Sequence, residues 1–546
     1  MSSPALTRKA PEGGRTSKPR FTRPQKTIAI AIAALLAGAA VLLRTRLWPF
    51  EEGPVLQDLA EVSDSSIAIR SFHRTYFPAP GCVIDGLVFH HGEHHGEAGT
   101  RPLITIERLT IRGSYLVILT QHVPLIIAEG MHIFIPPFGT GASFHTHASK
   151  ITIDELVANG TVVEFGSRDP QKQGLRFDVH EASLRHVRSN GPVQYRLKAH
   201  NPEPPGEIET AGEFGPWRRD DPGETPMSGE YTFEHADLNV YHGIGGTLSS
   251  QGKFGGVLKH IDISGSTDVP DFEVRSGHHP VHLMTEFSAY VDGTHGDTYL
   301  KRVDAHFSKT QVVAQGSIAR IPGHKGKTAL IDLRVQQGRI EDILGLFVKA
   351  PRAPMSGPVG LKASVEIPPG SERFLEKVKL QGTFGIDEGS FTKPKTQADV
   401  NKLSAGARGQ NKDDPATVLS DLRGQVRLDH GISTFTDLSF DVPGASARVH
   451  GTYNIIDHRI DLHGQMQVDT QISKTTTGMK SLLLKVMDPF FKKRRRGEVV
   501  PVHIGGTYEH PQYGLDLDKD KNDGQKAKSS SNPKSKNDGG STSPKQ

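Results

Sequence analysis

The stretch Val281–Asp292, VHLMTEFSAYVD, alternates apolar and polar side chains and therefore predicts a β-strand with one face toward a core. Its apolar face holds Val281, Leu283, Phe287, Ala289 and Val291, and its other face holds His282, Glu286, Ser288 and Asp292. The same period of two recurs in Ala329–Val335 and Phe435–Val442. Strands with one polar face are typical of antiparallel sheets, in which one face can meet water. The alternation extends from about Glu51 to Asp516 and predicts a mainly β chain.

Turn residues are abundant, with 58 Gly and 36 Pro among 546 residues. This composition favours many short strands over a helical bundle. Strand after strand opens with Gly, any residue, then an aromatic or apolar residue. The instances are Gly229–Tyr231, Gly252–Phe254, Gly382–Phe384, Gly451–Tyr453, Gly464–Met466 and Gly506–Tyr508. Because their spacing is irregular, they predict a meander of hairpins and not a strict solenoid.

A few segments depart from the strand pattern. Short helices are predicted at Pro54–Val62, Tyr115–Val123, Arg339–Val348, Thr396–Ala405 and Gly478–Phe491. The Pro- and Gly-rich segment Asn201–Thr225 is predicted to be a long loop or domain boundary. Residues 518–546 are too polar to bury a core, so a disordered tail is expected there.

The uncharged segment Thr27–Leu43 predicts a transmembrane helix. Seventeen helical residues rise about 25 Å, which is at the short end of what crosses a bilayer core. Seven cations precede this segment, and their excess places residues 1–26 in the cytoplasm and the bulk of the chain across the membrane. The alternative is a cleaved signal peptide, although Val41, Leu42 and Leu43 continue the apolar run past the small residues that a peptidase would need.

The motifs that imitate catalytic or binding sites lack the backbone those sites require. HHGEHHGE at 90–97 contains a metalloprotease-like order of His and Glu, but Gly92 and Gly96 break the helix that would aim the ligands. GHKGKT at 323–328 has too few residues between its glycines for a phosphate loop, and Asp516, Asp518 and Asp520 lack the glycine position and closing Glu of a calcium loop.

The remaining composition excludes further classes. Cys82 is the only cysteine, so neither an intramolecular disulfide nor a cysteine-based zinc site can form. The net charge of +4 does not indicate nucleic-acid binding. We expect no enzyme, no metal and no cofactor, while an envelope hydrolase built from carboxylates distant in sequence is left open. Five consecutive cations, Lys492, Lys493, Arg494, Arg495 and Arg496, are either a solvated loop or a site for anionic lipid headgroups.

The chain resembles the AsmA family of bacterial envelope proteins, relatives of the TamB-like proteins, over residues 28–517. The resemblance begins with the single anchor before a long β-rich region. It then rests on Pro102–Ile111, Ser114–Val123, Ile126–Ile133, Leu422–Gly431, Val442 and Pro443, Gly451–Asp457, Pro501–Thr507 and Pro511. The first three segments resemble the family's amino-terminal unit of a strand, a short helix and an "E-G" strand. The others resemble its carboxy-terminal region.

The resemblance implies a long curved antiparallel sheet of the repeating β-groove type, with a few short helices and one N-terminal transmembrane helix. Its divisions are a basic terminus at 1–26, the anchor at 27–43, an AsmA-like N-terminal region at 51–200, a boundary at 201–225, an AsmA-like C-terminal region at 226–517 and a tail at 518–546. It places the chain in the inner membrane, with its bulk in the periplasm.

The expected function is binding of phospholipid or another envelope lipid in an apolar groove, for outer-membrane lipid transport or envelope assembly. The candidate groove residues are Leu283, Phe287, Val291, Ile331, Leu333, Val335, Phe440 and Val442. Each of these could instead belong to an ordinary core. The alternative function is a non-transporting scaffold or regulator of outer-membrane protein assembly. Because this chain is shorter than the longest members of the family, it either covers part of the periplasm or needs an envelope protein partner.

Overall fold

Most of the chain forms strands that follow one another through a single sheet. The computed structural model describes residue 34 and residues 50–91, 102–114, 122–135, 151–166, 174–188, 191–218, 220–323, 326–370, 372–407, 419–468, 499–507 and 510–516. The strands are β1 Ser65–Ala68, β2 Ser71–Thr75, β3 Gly81–His91, β4 Ile104–Arg112, β5 His122–Ile135, β6 Thr152–Phe165, β7 Leu175–Val187, β8 Val193–Pro202, β9 Pro205–Phe214, β10 Pro226–Asp237, β11 Ile244–Gly245, β12 Thr247–Val257, β13 His260–Val274, β14 Val281–Asp292, β15 Asp297–Phe307, β16 Thr310–Arg320, β17 Lys327–Arg339, β18 Met355–Ser356, β19 Pro358–Ile367, β20 Lys379–Ile386, β21 Ser390–Phe391, β22 Ser420–Asp429, β23 Ile432–Val442, β24 Ala445–Asn454, β25 Ile460–Val468, β26 Val499–Gly506 and β27 Pro511–Leu515. The helices are α1 Glu52–Ser63, α2 Ile340–Gly345, α3 Phe374–Lys377 and α4 Pro394–Ala407, with 3-10 turns at Pro222–Glu224 and Leu238–Val240.

Spatial order in the sheet follows sequence order. Twenty-five strands form one sheet, and β18 and β21 form a separate two-stranded sheet. From β3 to β27 each long strand pairs with the next long strand along the chain. This arrangement confirms the prediction of a mainly β chain with few helices.

One pair corrects the expectation of a wholly antiparallel sheet. β5 and β6 run parallel, with Ile126 opposite Leu156 and Ile133 opposite Val163. A parallel pair needs a crossover of a dozen or more residues in place of a tight hairpin. Residues 136–151 are long enough to supply it. The sheet is therefore mixed.

The segment 201–225, expected to be a long loop or domain boundary, is strand in its first part. β8 continues to Pro202, β9 begins at Pro205, and only Glu203 and Pro204 lie between them. The expectation of a loop was wrong for residues 201–214, where the prolines and glycines accompany an alternation of polar and apolar residues that is typical of strands. Residues 215–218 and 220–225 form no strand. Glu207 and Glu209 are exposed on one face, while Ile208 is half-buried on the other. A hairpin of this kind tolerates proline at its strand ends.

The helix predictions have mixed outcomes. Helices α1, α2 and α4 overlap the predictions at Pro54–Val62, Arg339–Val348 and Thr396–Ala405. The helix predicted at Tyr115–Val123 is wrong at its end, because His122 and Val123 begin β5, while residues 115–121 lie outside the described residues. The helix predicted at 478–491 and the tail at 518–546 also lie outside them.

Buried side chains concentrate toward the two ends of the sheet. At the amino-terminal end, α1 covers a cluster that includes Cys82, Ile84, Leu87 and Ile126. At the other end, residues of α2 and α4 pack against a cluster from β19 to β25. A small third cluster joins Val274, Phe307 and Leu346. Between these clusters, most apolar side chains of the sheet are only half-buried.

Candidate functional site

A continuous row of uncharged residues crosses the sheet from β8 to β26. In an antiparallel ladder, directly opposite residues project their side chains to the same face. We call this set the apolar row. Its members are Leu197, Thr210, Tyr231, Gly252, Gly265, Phe287, Val303, Ala314, Leu333, Ala363, Gly382, Val426, Phe435, Gly451, Leu462 and Ile504. The face that carries it is the apolar face.

The residues one position along each strand form the opposite, polar face. Their row holds Lys198, Glu209, Thr232, Gln251, Ser266, Glu286, Asp304, Val313, Arg334, Lys362, Thr383, Gln425 and Thr436. Opposite charges pair across strands here, as in Lys198 with Glu209 at 2.7 Å. The sheet is therefore amphipathic from strand to strand, with a single apolar member, Val313, in the polar row.

Glycines on the apolar face make room for aromatic rings from neighbouring strands. A Cβ at Gly229 would lie 2.8 Å from Tyr195 Oη and 2.9 Å from Phe254 Cζ. A Cβ at Gly252 would lie 2.9 Å from Tyr231 Cε1. Burial by these surroundings raises the pKa of the Tyr195 hydroxyl. The rings thus lie over the glycine backbone, so aromatic side chains form the surface of this part of the apolar face.

All eight candidate groove residues project from the apolar face, but their surroundings divide them. Val335 and Val442 are only 3% and 5% exposed. Leu283 packs against the cluster around Phe307, and Phe440 packs against the carboxy-terminal cluster that contains Val442. These four are therefore largely covered by the chain itself.

The other four candidates lie on the open part of the face. Phe287, Val291, Ile331 and Leu333 are half-buried. None of the three clusters built from the described residues includes them. The open part of the apolar face thus lies in the central strands, at the positions that the three clusters leave out.

A concavity of the central strands lies on the polar face. It has a volume of about 830 Å³, and its lining includes Glu230, Lys253, Arg302 and Asp304. These charges are already paired, Lys253 with Glu230 at 2.8 Å and Arg302 with Asp304 at 2.6 Å. Most of the charge that these four residues bring to the cavity is therefore already neutralised by a partner across the strands.

Three potential metal ligands meet on the polar face near the carboxy-terminal end. They are Asp461 and His463 on β25 and His503 on β26, and sequence reasoning missed them. The only signal was the alternation that places Asp461 and His463 on one face. Of the HHGEHHGE motif, His90 and His91 end β3, and 92–97 lie outside the described residues.

The remaining candidates are a nucleophile, a membrane span and the headgroup cations. Cys82 is fully buried, and burial raises its pKa to about 12, so it offers no thiolate for catalysis. No helix among the described residues is long and apolar enough to cross a membrane. The predicted span at 27–43, apart from the helical Ala34, and the cations at 492–496 lie outside the described residues.

No protein-family model, curated protein or solved structure matches the chain. The AsmA-family resemblance is thus a hypothesis from sequence patterns.

Proposed function

We propose that this chain is an inner-membrane-anchored periplasmic protein of the AsmA type that binds lipid acyl chains along the apolar face of its sheet. The observation that carries the proposal is the apolar row, which crosses the sheet without a charged residue. An apolar surface of this extent on a protein in water is costly unless something covers it. A lipid tail can cover such a surface because an acyl chain needs no hydrogen-bond partner.

The dimensions of the open part suit a hydrocarbon chain. From Leu197 on β8 to Leu333 on β17 the row crosses nine strands, and neighbouring strands lie about 4.8 Å apart, so it extends roughly 40 Å. One leaflet of a bilayer core is about 15 Å thick. Each methylene that leaves water gains about 0.8 kcal/mol. One or more lipid tails could therefore lie across these strands with a substantial gain.

The envelope location comes from the sequence. The apolar segment at 27–43 with its preceding cations supports an inner-membrane anchor. An anchored β-ribbon with one apolar face would shield lipid tails on their way between membranes without any catalytic step. Outer-membrane lipid transport or envelope assembly is the role that follows, with phospholipid as the expected ligand.

Site-specific photo-crosslinking tests the proposal in the full chain and in cells. A benzophenone amino acid replaces Leu333 on the apolar face or, as a matched control, Leu330 on the same strand but on the polar face. We expect a phospholipid adduct on the tryptic peptide from position 333 and none from position 330. Equal adducts at both positions, or no lipid at 333, would overturn the proposal. Crosslinks to envelope assembly proteins in place of lipid would favour the scaffold alternative.

A further inference from the structure

Two histidines and an aspartate converge on the polar face of the last strands. The Nε2 atoms of His463 and His503 lie 3.1 Å and 2.9 Å from the same Asp461 Oδ1. The two imidazole rings stack, with centroids 4.4 Å apart and an interplanar angle of 15°. One potential ligand atom from each residue falls within 4.8 Å of the other two. Three donors of the kind that transition metals prefer are thus gathered at one point.

Strand pairing explains the convergence. His463 on β25 is directly opposite His503 on β26, and Asp461 lies two residues before His463 on the same face. Leu462 and Ile504 of the apolar row project to the other side. The histidine side chains are 35% and 37% exposed, so an ion can reach them from solvent.

A fourth residue orients one of the histidines. Asp516 Oδ2 lies 3.0 Å from His463 Nδ1, and the Asp516 side chain is only 11% exposed. A carboxylate at this position accepts a hydrogen bond from Nδ1–H, so Nε2 is the ring nitrogen that can bind a metal ion. Metal-binding histidines are commonly held by an outer carboxylate in this way. The contact from Asp516 is an observation separate from the convergence of the three ligands, and it also indicates metal binding.

We propose that Asp461, His463 and His503 bind one zinc-class divalent transition-metal ion, with Asp516 as the residue that positions His463. Zinc bonds of 2.0–2.1 Å in a tetrahedron place neighbouring donors about 3.3 Å apart, close to the 3.1 Å and 2.9 Å that separate Asp461 Oδ1 from the two Nε2 atoms. Nitrogen donors select zinc or cobalt over magnesium or calcium. Because β25 and β26 are separated by residues 469–498, the ion would cross-link strands distant in sequence and tie Asp516 to them.

The test measures zinc bound to the purified full chain after chelation and dialysis against buffered zinc. Its background is a variant in which His90, His91, His94 and His95 are all Ala, so that this separate histidine stretch cannot contribute. We expect one zinc per chain, and no magnesium or calcium. His503→Ala or Asp461→Asn should abolish binding, and Asp516→Asn should weaken it by about 10- to 100-fold.

A matched control and a second readout keep the result interpretable. His282→Ala removes another surface histidine, which is paired with Asp268 at 2.5 Å but has no third ligand grouped with it among the residues that the structure describes. This variant should leave zinc binding unchanged. Zinc should also raise the melting temperature of the background protein but not that of His503→Ala. A background protein without bound zinc, or an unchanged zinc content in folded His503→Ala, would show that the cluster is a hydrogen-bond network only.

Discussion

Leu330 and Leu333 lie on the same strand and project from opposite faces of the sheet. Leu330 is opposite Ser317 and is 44% exposed, whereas Leu333 is opposite Ala314 in the apolar row and is half-buried. The two leucines have the same chemistry and nearly the same place along the sheet. Substitutions at them therefore separate an effect of the apolar face from a general effect on the strand.

Leu333→Glu should weaken binding of a fluorescent acyl-chain phospholipid to the full chain, while Leu330→Glu should leave it unchanged. Removing a leucine from an apolar contact costs about 1.5–3 kcal/mol, which corresponds to roughly tenfold or more in affinity. Fluorescence titration measures the effect, with circular dichroism to show that both variants are folded. An equal loss in both variants would contradict a lipid site confined to the apolar face.

Gly229→Ala should lower stability by about 1–3 kcal/mol, because its new Cβ would meet atoms that cannot all move. The contacts would include the backbone oxygen of Ala211 at 2.7 Å as well as the Tyr195 and Phe254 rings. Gly255 on the neighbouring strand is the control, since a Cβ there meets nothing closer than 3.7 Å. Thermal unfolding should show a clear drop for Gly229→Ala only, and equal melting temperatures would argue against aromatic rings over this glycine.

Cys82 should resist thiol reagents in the folded protein and react fully after denaturation. Its side chain is completely buried with Ile84 and Leu87, and its raised pKa leaves almost no thiolate near neutral pH. Maleimide labelling followed by mass spectrometry measures the modified fraction with and without denaturant. Rapid labelling of the folded chain would mean that the amino-terminal core is open.

Most of the fold could be predicted from the period-two alternation of apolar and polar residues. It predicted strands such as Val281–Asp292, and it also predicted which residues share a face, because side-chain direction depends only on position along the strand. Within each strand the same rule groups the candidate groove residues, such as Ile331, Leu333 and Val335, on one face, while strand pairing decides whether the faces of different strands coincide. Alternation does not show which of the apolar side chains are buried by other parts of the chain. Val442 is buried because distant strands and helices pack around it, and nothing in its own segment distinguishes it from Leu333.

The pairing of particular strands was the other feature that could not be predicted from the sequence. The parallel pairing of β5 with β6 depends on the path of residues 136–151, which no local pattern specifies. The cluster of Asp461, His463 and His503 depends on β25 pairing with β26 across residues 469–498. The role of Asp516 is not predictable from its local sequence, because its contact with His463 exists only after β27 has folded back along β26.

A pH-dependent contribution to stability is expected from Asp85, which joins three strands on the amino-terminal side. Arg108 Nε on β4 donates to Asp85 Oδ1 at 2.9 Å, and Ser71 Oγ on β2 donates to Oδ2 at 3.1 Å. The hydrogen bond from Arg108, followed by that from Ser71, lowers the pKa of the Asp85 carboxyl. Folding therefore favours the ionised carboxylate, so the stabilisation is fully present above the ordinary pKa of aspartate, about 3.9, and is lost as the pH falls through the lowered value.

Asp85→Asn should accordingly melt at a lower temperature than the unsubstituted chain at neutral pH, and the difference should shrink as the pH falls below about 4. Thermal unfolding across this range measures both proteins under the same conditions. Arg108→Gln serves as the matched variant, since it removes the positively charged guanidinium that donates to Asp85 and should show the same convergence at low pH. A difference between Asp85→Asn and the unsubstituted chain that stays constant with pH would mean that the carboxylate's charge contributes nothing. The role of Asp85 would then be reduced to hydrogen bonds that an amide can also accept.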